Sequence, residues 1–116
     1  MKAHVERQFI RIVENEFNRM YPFLKIEFSK NADGKQGAPA IETPDDEILR
    51  SRAKHLLVDE LKLSDATKVN ELEAALQQVF DNPVQVLRKC GNFWIETRMT
   101  RDWTLKQQND HGRELI

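Results

Sequence analysis

Residues 84–99 read V-Q-V-L-R-K-C-G-N-F-W-I-E-T-R-M, and the way this stretch folds back on itself decides the architecture. Gly followed by a polar residue forms tight two-residue hairpin loops. With Gly91-Asn92 as the loop, Cys90 faces Phe93, Arg88 faces Ile95, Val86 faces Thr97 and Val84 faces Met99. Side chains alternate across a strand, so these four pairs share one sheet face. That face is mostly apolar and is assigned to the core. The opposite face carries Gln85 with Arg98, Leu87 with Glu96, and Lys89 with Trp94. A slip of one residue would exchange the faces and bury Lys89, Glu96 and Arg98, which disfavours it. Leu87 and Trp94 then stand on the outer face. Either a helix covers them, or they form a contact site of the kind that outward apolar patches mark.

Outward from the hairpin, the N-terminal part predicts a helix over residues 2–20. Val5, Phe9, Val13, Phe17 and Met20, with Ile12, recur at helical spacing. Arg7, Arg11 and Glu14 lie off that stripe. Pro22 disfavours helical geometry at Tyr21. Leu24, Ile26 and Phe28 then alternate with Lys25, Glu27 and Ser29, as in a strand with one buried face.

Residues 30–43, K-N-A-D-G-K-Q-G-A-P-A-I-E-T, have no period and are rich in Gly, Pro and polar residues. They read as a long flexible loop. Thr43-Pro44-Asp45-Asp46-Glu47 is a helix start, with a cap, a proline and acids at the positive end of the dipole. The helix is expected to run to about His55 or Leu57, followed by a short strand near 59–63. Thr67 is read as the cap of the next helix, whose inner stripe is Val69, Leu72, Leu76, Val79 and Phe80. Asp81-Asn82-Pro83 ends it. Thr104 with Gln107 forms a capping-box pattern for a short last helix, expected to stop with Gly112 in a left-handed cap. Trp103 and Leu105 are expected to fasten it to the sheet.

The expected fold is therefore α+β: a single domain over residues 1–116, a two-layer sandwich with a mixed sheet of three or four strands. Helices lie mainly on one face, and the chain ends in a β-hairpin and a short helix. A right-handed crossover would follow if the second and third strands were parallel.

Composition narrows function by exclusion. The 116 residues fit one domain. Charged residues make up 32% with a net charge of −1, not the strongly basic balance of a nucleic-acid binder. A single cysteine rules out an internal disulfide and fits a reducing compartment. No apolar signal segment follows Met1, and no run approaches the ~18 apolar residues of a membrane helix. A cytoplasmic location is expected, with no membrane partner.

Motifs for chemistry are missing. Residues 30–43 contain two glycines but no phosphate-loop pattern. Ala32-Asp33-Gly34-Lys35 lacks the alternating carboxylates of a calcium loop. Cys90 is read as a small core residue, and nothing places His4, His55 or His111 beside it. No ligand spacing for a metal is present. The pairs Glu14/Glu16 and Glu71/Glu73 are read as solvated helix faces. No cofactor, metal or catalytic residue is expected, and the chain is not expected to be an enzyme, although a small enzyme without recognisable catalytic residues is kept as an alternative.

Residues 67–76, 83–97 and 102–109, T-K-V-N-E-L-E-A-A-L, P-V-Q-V-L-R-K-C-G-N-F-W-I-E-T and D-W-T-L-K-Q-Q-N, resemble a group of small uncharacterised bacterial proteins. Those end in a V-Q-V-x-R-K-x-G-N-x-W hairpin and a W-T-L-x-x-Q-N segment. The resemblance spans a little over a third of the chain. It implies a bacterial α+β domain and carries no activity.

One constellation remains. Between residues 88 and 106, Arg88, Lys89, Arg98, Arg101 and Lys106 stand against Glu96 and Asp102, with Trp94 and Trp103 among them. Such a surface can stack bases and track phosphates, can bind an acidic protein partner through Trp and Arg anchors, or can be purely structural. The leading expectation is a protein-interaction module, self-associating or docking another protein through the outer hairpin face. Its candidate surface is Leu87, Lys89, Trp94, Glu96, Arg98 and Arg101. Single-stranded nucleic-acid binding by residues 88–106 is the alternative.

Overall fold

The computed structural model of the protein describes residues 2–29 and 47–114. The expected loop, the calcium-loop candidate and the helix start at 43–46 lie outside them. Helix α1 spans Lys2–Met20, strand β1 Leu24–Phe28, and helix α2 Glu47–Lys54. Helix α3 spans Val69–Phe80, strand β2 Val84–Cys90, strand β3 Phe93–Glu96, and helix α4 Leu105–Glu114.

The strands form one sheet in the order β1-β2-β3. Both pairings are antiparallel, so the expected mixed sheet is not formed among the described residues. The expected strand near 59–63 is absent. α2 instead continues as a π-helix over His55–Glu60. The Leu61 amide closes it on the Leu56 carbonyl at 2.9 Å. Lys62 then adopts φ 55, and the Leu63 amide reaches the Leu57 carbonyl at 2.9 Å. A left-handed residue just past the helix end lets its flanks satisfy the last carbonyls. Hence Leu61 and Leu63 both turn toward the core. Their alternation with Lys62 reflects a helix cap, not a strand.

The core joins Val13 and Phe17 of α1, Leu24, Ile26 and Phe28 of β1, Ala53, Leu56 and Leu57 of the α2 extension, Leu72 and Leu76 of α3, Val86 of β2, and Leu105. Every second residue of β1 is in this cluster. Leu87, on the other sheet face, is buried but does not belong to it. Val79, expected inside, is exposed.

Helix ends mix confirmation and correction. Thr104 and Gln107 form the expected reciprocal cap, with the Thr104 amide donating to Gln107 Oε1 at 2.8 Å and the Gln107 amide to Thr104 Oγ1 at 3.2 Å. Thr67 is not the cap of α3. The helix begins after Lys68, whose amide donates to Glu71 Oε1 at 3.0 Å. Lys68 forms a β-bridge to Thr104, and the Leu105 amide donates to the Thr67 carbonyl at 2.8 Å. The starts of α3 and α4 are thereby tied together. Gly112 does not end α4. It lies inside the helix, where a Cβ would stand 2.9 Å from Phe23 Cβ and 3.3 Å from the Phe23 carbonyl oxygen. The glycine permits close approach of α4 to the chain entering β1.

Candidate functional site

The hairpin holds the expected register at Cys90↔Phe93, Lys89↔Trp94, Arg88↔Ile95 and Leu87↔Glu96. Gly91 has φ 61 and Asn92 does not share that region, as in a type II′ turn with glycine at its first position. The register ends there. Glu73 of α3 accepts the Val86 amide through Oε2 at 3.0 Å. The Thr97 hydroxyl donates to the Val86 carbonyl at 2.9 Å. Two side chains thus take the backbone bonds that would have extended β3, and the chain leaves the sheet into a 3-10 turn over Arg98–Thr100. Consequently Gln85 does not pair with Arg98 nor Val84 with Met99. Met99, assigned to the core, is 93% exposed. Phe93, at the tip, is 72% exposed.

The outer face is built by alternation. In β1 and β2 the register sets Lys25 beside Leu87 and Glu27 beside Gln85. Trp94 is half-buried at its centre. Lys25 Nζ lies 4.9 Å and Lys89 Nζ 5.7 Å from the centre of the Trp94 ring, within cation–π range. Leu87 is buried in this row. Lys25 also pairs with Glu27 at 3.5 Å, and Glu96 with Arg98 at 3.1 Å. Lys89 has no carboxylate partner among the described residues. Lys25 belongs to this surface and was not singled out from sequence. Its signal was the strand alternation, which becomes useful only once β1 is known to neighbour β2.

The basic and aromatic residues of 88–106 do not form one patch. Arg88 lies on the core side of β2, where its Nη1 donates to Gln108 Oε1 at 2.8 Å and its guanidinium is 6.0 Å from the Trp103 ring. Trp103 also meets His111 edge-on. Trp94 and Trp103 therefore accompany opposite sheet faces. Arg101 pairs with Glu73 at 3.3 Å, and Lys106 with Asp110 at 2.8 Å. Of the six candidate residues, the fold brings Leu87, Lys89, Trp94 and Glu96 together. Arg98 borders them through its pair with Glu96. Arg101 is drawn away to Glu73.

Arg98 and Arg101 instead line a cleft of about 640 Å³ with Glu27, Glu73, Gln85 and Thr97. Its two arginines and Glu73 are engaged in the pairs already given. Glu71 is exposed as expected, but Glu14, Glu16 and Glu73 are less solvated than expected. Glu16 is buried and meets Arg50 at 3.4 Å and Arg19 at 3.8 Å. Burial pushes the Glu14 carboxyl up to about 7, opposed by a hydrogen bond with the Phe28 backbone and aided by nearby Glu27. No group of His, Cys, Asp and Glu suited to a metal occurs among the described residues. Nor is any described helix long and apolar enough to cross a membrane.

No protein-family model matches the chain, and no curated protein or solved structure matches it.

Proposed function

We propose that this domain is a protein-interaction module whose docking surface is the outer face of the C-terminal hairpin, centred on Trp94. In this reading the helices close one face of the sheet and the other is left for a partner. The observation that carries it is the half-buried Trp94, on the same sheet face as the buried Leu87 and opposite the carboxylate-free Lys89. A large ring with an apolar neighbour on its face and an adjoining cation is the composition of an interface anchor. The partner should offer a carboxylate next to an apolar surface. Single-stranded nucleic acid is the second reading, favoured by the two ammonium groups over the Trp94 ring. Against it, the face is nearly balanced in charge, with Lys25 and Lys89 facing Glu27 and Glu96.

Fluorescence of a Trp103→Phe protein tests the reading. A quencher should reach Trp94, and oligonucleotide should leave its emission unchanged at low and moderate salt. Trp94→Ala should remain folded. An unfolded Trp94→Ala protein would make the residue core and remove the reading. A salt-sensitive response to oligonucleotide would transfer the surface to nucleic acid.

A further inference from the structure

The two edges of the sheet are treated differently. In β1 the odd residues bond to β2, as the Lys89 amide donating to the Phe23 carbonyl and the Ser29 amide donating to the Pro83 carbonyl show. Its even residues, Leu24, Ile26 and Phe28, face outward, and groups at both ends of that row are covered. The Leu24 amide donates to the Tyr21 carbonyl at 2.9 Å. The Leu24 carbonyl accepts Asn18 Nδ2 at 2.8 Å. The Phe28 backbone bonds Glu14. Such cover is how proteins keep an edge from pairing with another chain.

At β3 no such cover occurs among the described residues. With odd residues of β2 bonded to β1, its even residues face β3, so Phe93 and Ile95 carry the hairpin bonds. The amides and carbonyls of Trp94 and Glu96 point outward and have no partner among the described residues. The strand is short, but its open groups are self-complementary. Under a two-fold axis at Ile95, Trp94 of one copy falls opposite Glu96 of the other, and each pair exchanges an amide and a carbonyl. On the outer face the partner copy's Glu96 then lies beside Trp94, on the side away from Lys89. The ammonium groups of Lys89 and Lys25 lie over that ring, and Lys89 is the one of the two without a carboxylate. On the inner face Ile95 meets its own copy, and the exposed Phe93 gains a neighbouring strand.

We infer that two copies of this chain join β3 to β3 antiparallel, through the backbone of Trp94 and Glu96, into a continuous six-stranded sheet. This rests on the reading of the hairpin face as a docking surface and names its occupant as a second copy. The contact is small, so association should be weak and concentration-dependent.

Glu96→Pro is the decisive variant. It deletes an amide that points away from β2, and proline is tolerated on an edge strand whose N–H faces solvent. Sedimentation of the whole chain should show monomer passing to dimer as concentration rises. Glu96→Pro should stay monomeric with an unchanged circular dichroism spectrum. Glu96→Ala, which keeps the amide, should still dimerise but more weakly. The Trp94 and Glu96 amides should exchange several-fold more slowly in concentrated than in dilute wild-type solution. Dimerisation of Glu96→Pro equal to wild type, with loss in Trp94→Ala, would overturn edge pairing and leave the docking face standing. A wild-type monomer at all concentrations would overturn self-pairing. If Trp94→Ala also unfolded, the docking reading would fall with it.

Discussion

The Glu73 carboxylate of α3 accepts the amide of Val86, a residue of the central strand with no solvent exposure, at 3.0 Å. The same carboxylate holds Arg101 at 3.3 Å. Together with Thr97, this side chain therefore ends the β2–β3 ladder, and it also anchors the turn that follows. Removing it in Glu73→Ala strands a buried donor, which costs about 2–3 kcal/mol. Glu73→Gln keeps an acceptor and should lose about 1 kcal/mol. Urea denaturation of the two variants beside wild type measures the difference. Equal stability of Glu73→Ala and wild type would show that water satisfies Val86 instead.

Gly112 sets two effects against each other. Alanine in place of a glycine within a helix gains about 1 kcal/mol from propensity. Here its Cβ would stand 2.9 Å from Phe23 Cβ, 3.2 Å from Arg88 Cγ and 3.3 Å from a backbone oxygen. Overpacking of this kind costs about 1–3 kcal/mol. Backbone cannot move aside as a side-chain tip can, so Gly112→Ala should lower the melting temperature. A rise would mean that α4 can slide over Phe23 at little cost.

Glu14 makes stability depend on pH. Its folded value of about 7 lies above the ordinary 4.5, so the folded state holds a proton that the unfolded chain has released. The stabilisation from this group is complete below about pH 4.5 and is lost as pH rises through 7. Glu14→Gln removes the penalty and should be more stable than wild type at pH 8, by on the order of 1–3 kcal/mol. Near pH 4.5 the advantage should vanish. Melting curves across this range decide it, and a constant difference would assign the effect to packing.

Gln108 is fully buried and fully used. Its Nε2 donates to both the Thr100 carbonyl and the Thr100 hydroxyl at 2.7 Å, and its Oε1 accepts Arg88 Nη1 at 2.8 Å. Arg88 Nε is already buried without a partner. Gln108→Leu keeps volume but leaves a guanidinium and a carbonyl unpaired. It should destabilise by about 2–4 kcal/mol, and calorimetry would register it. A neutral substitution would show that Arg88 turns out to solvent once released.

Much of the frame is legible in the sequence because local physics specifies it. The glycine at the hairpin tip, the alternation around it and the spacing of Val13 and Phe17 each depend on near neighbours. What the sequence hides depends on encounters. L-K-L at 61–63 imitates a strand because the left-handed position went to Lys62 instead of glycine. Glu14, Glu16 and Glu73 look solvated along their helices, yet β1, α2 and β2 come to lie against them. β3 is shorter than its apolar alternation predicts because Glu73 and Thr97 take the bonds of Val86. At the candidate surface, the cross-strand pair Lys89 and Trp94 could be read directly. Lys25 could not, since β1 reaches it through the tertiary fold alone.

The π-helical stretch His55–Glu60 has a bearing on how this chain can change over descent. A π turn closes on the fifth residue where an α turn closes on the fourth, so it stores one residue without a bulging loop. A chain lacking one residue between 55 and 60 can close the same span as plain α-helix and deliver Lys62 and Leu63 to the same place. Insertions and deletions ordinarily accumulate in loops. In this lineage, single-residue changes of length are expected inside a helix, with every later contact preserved.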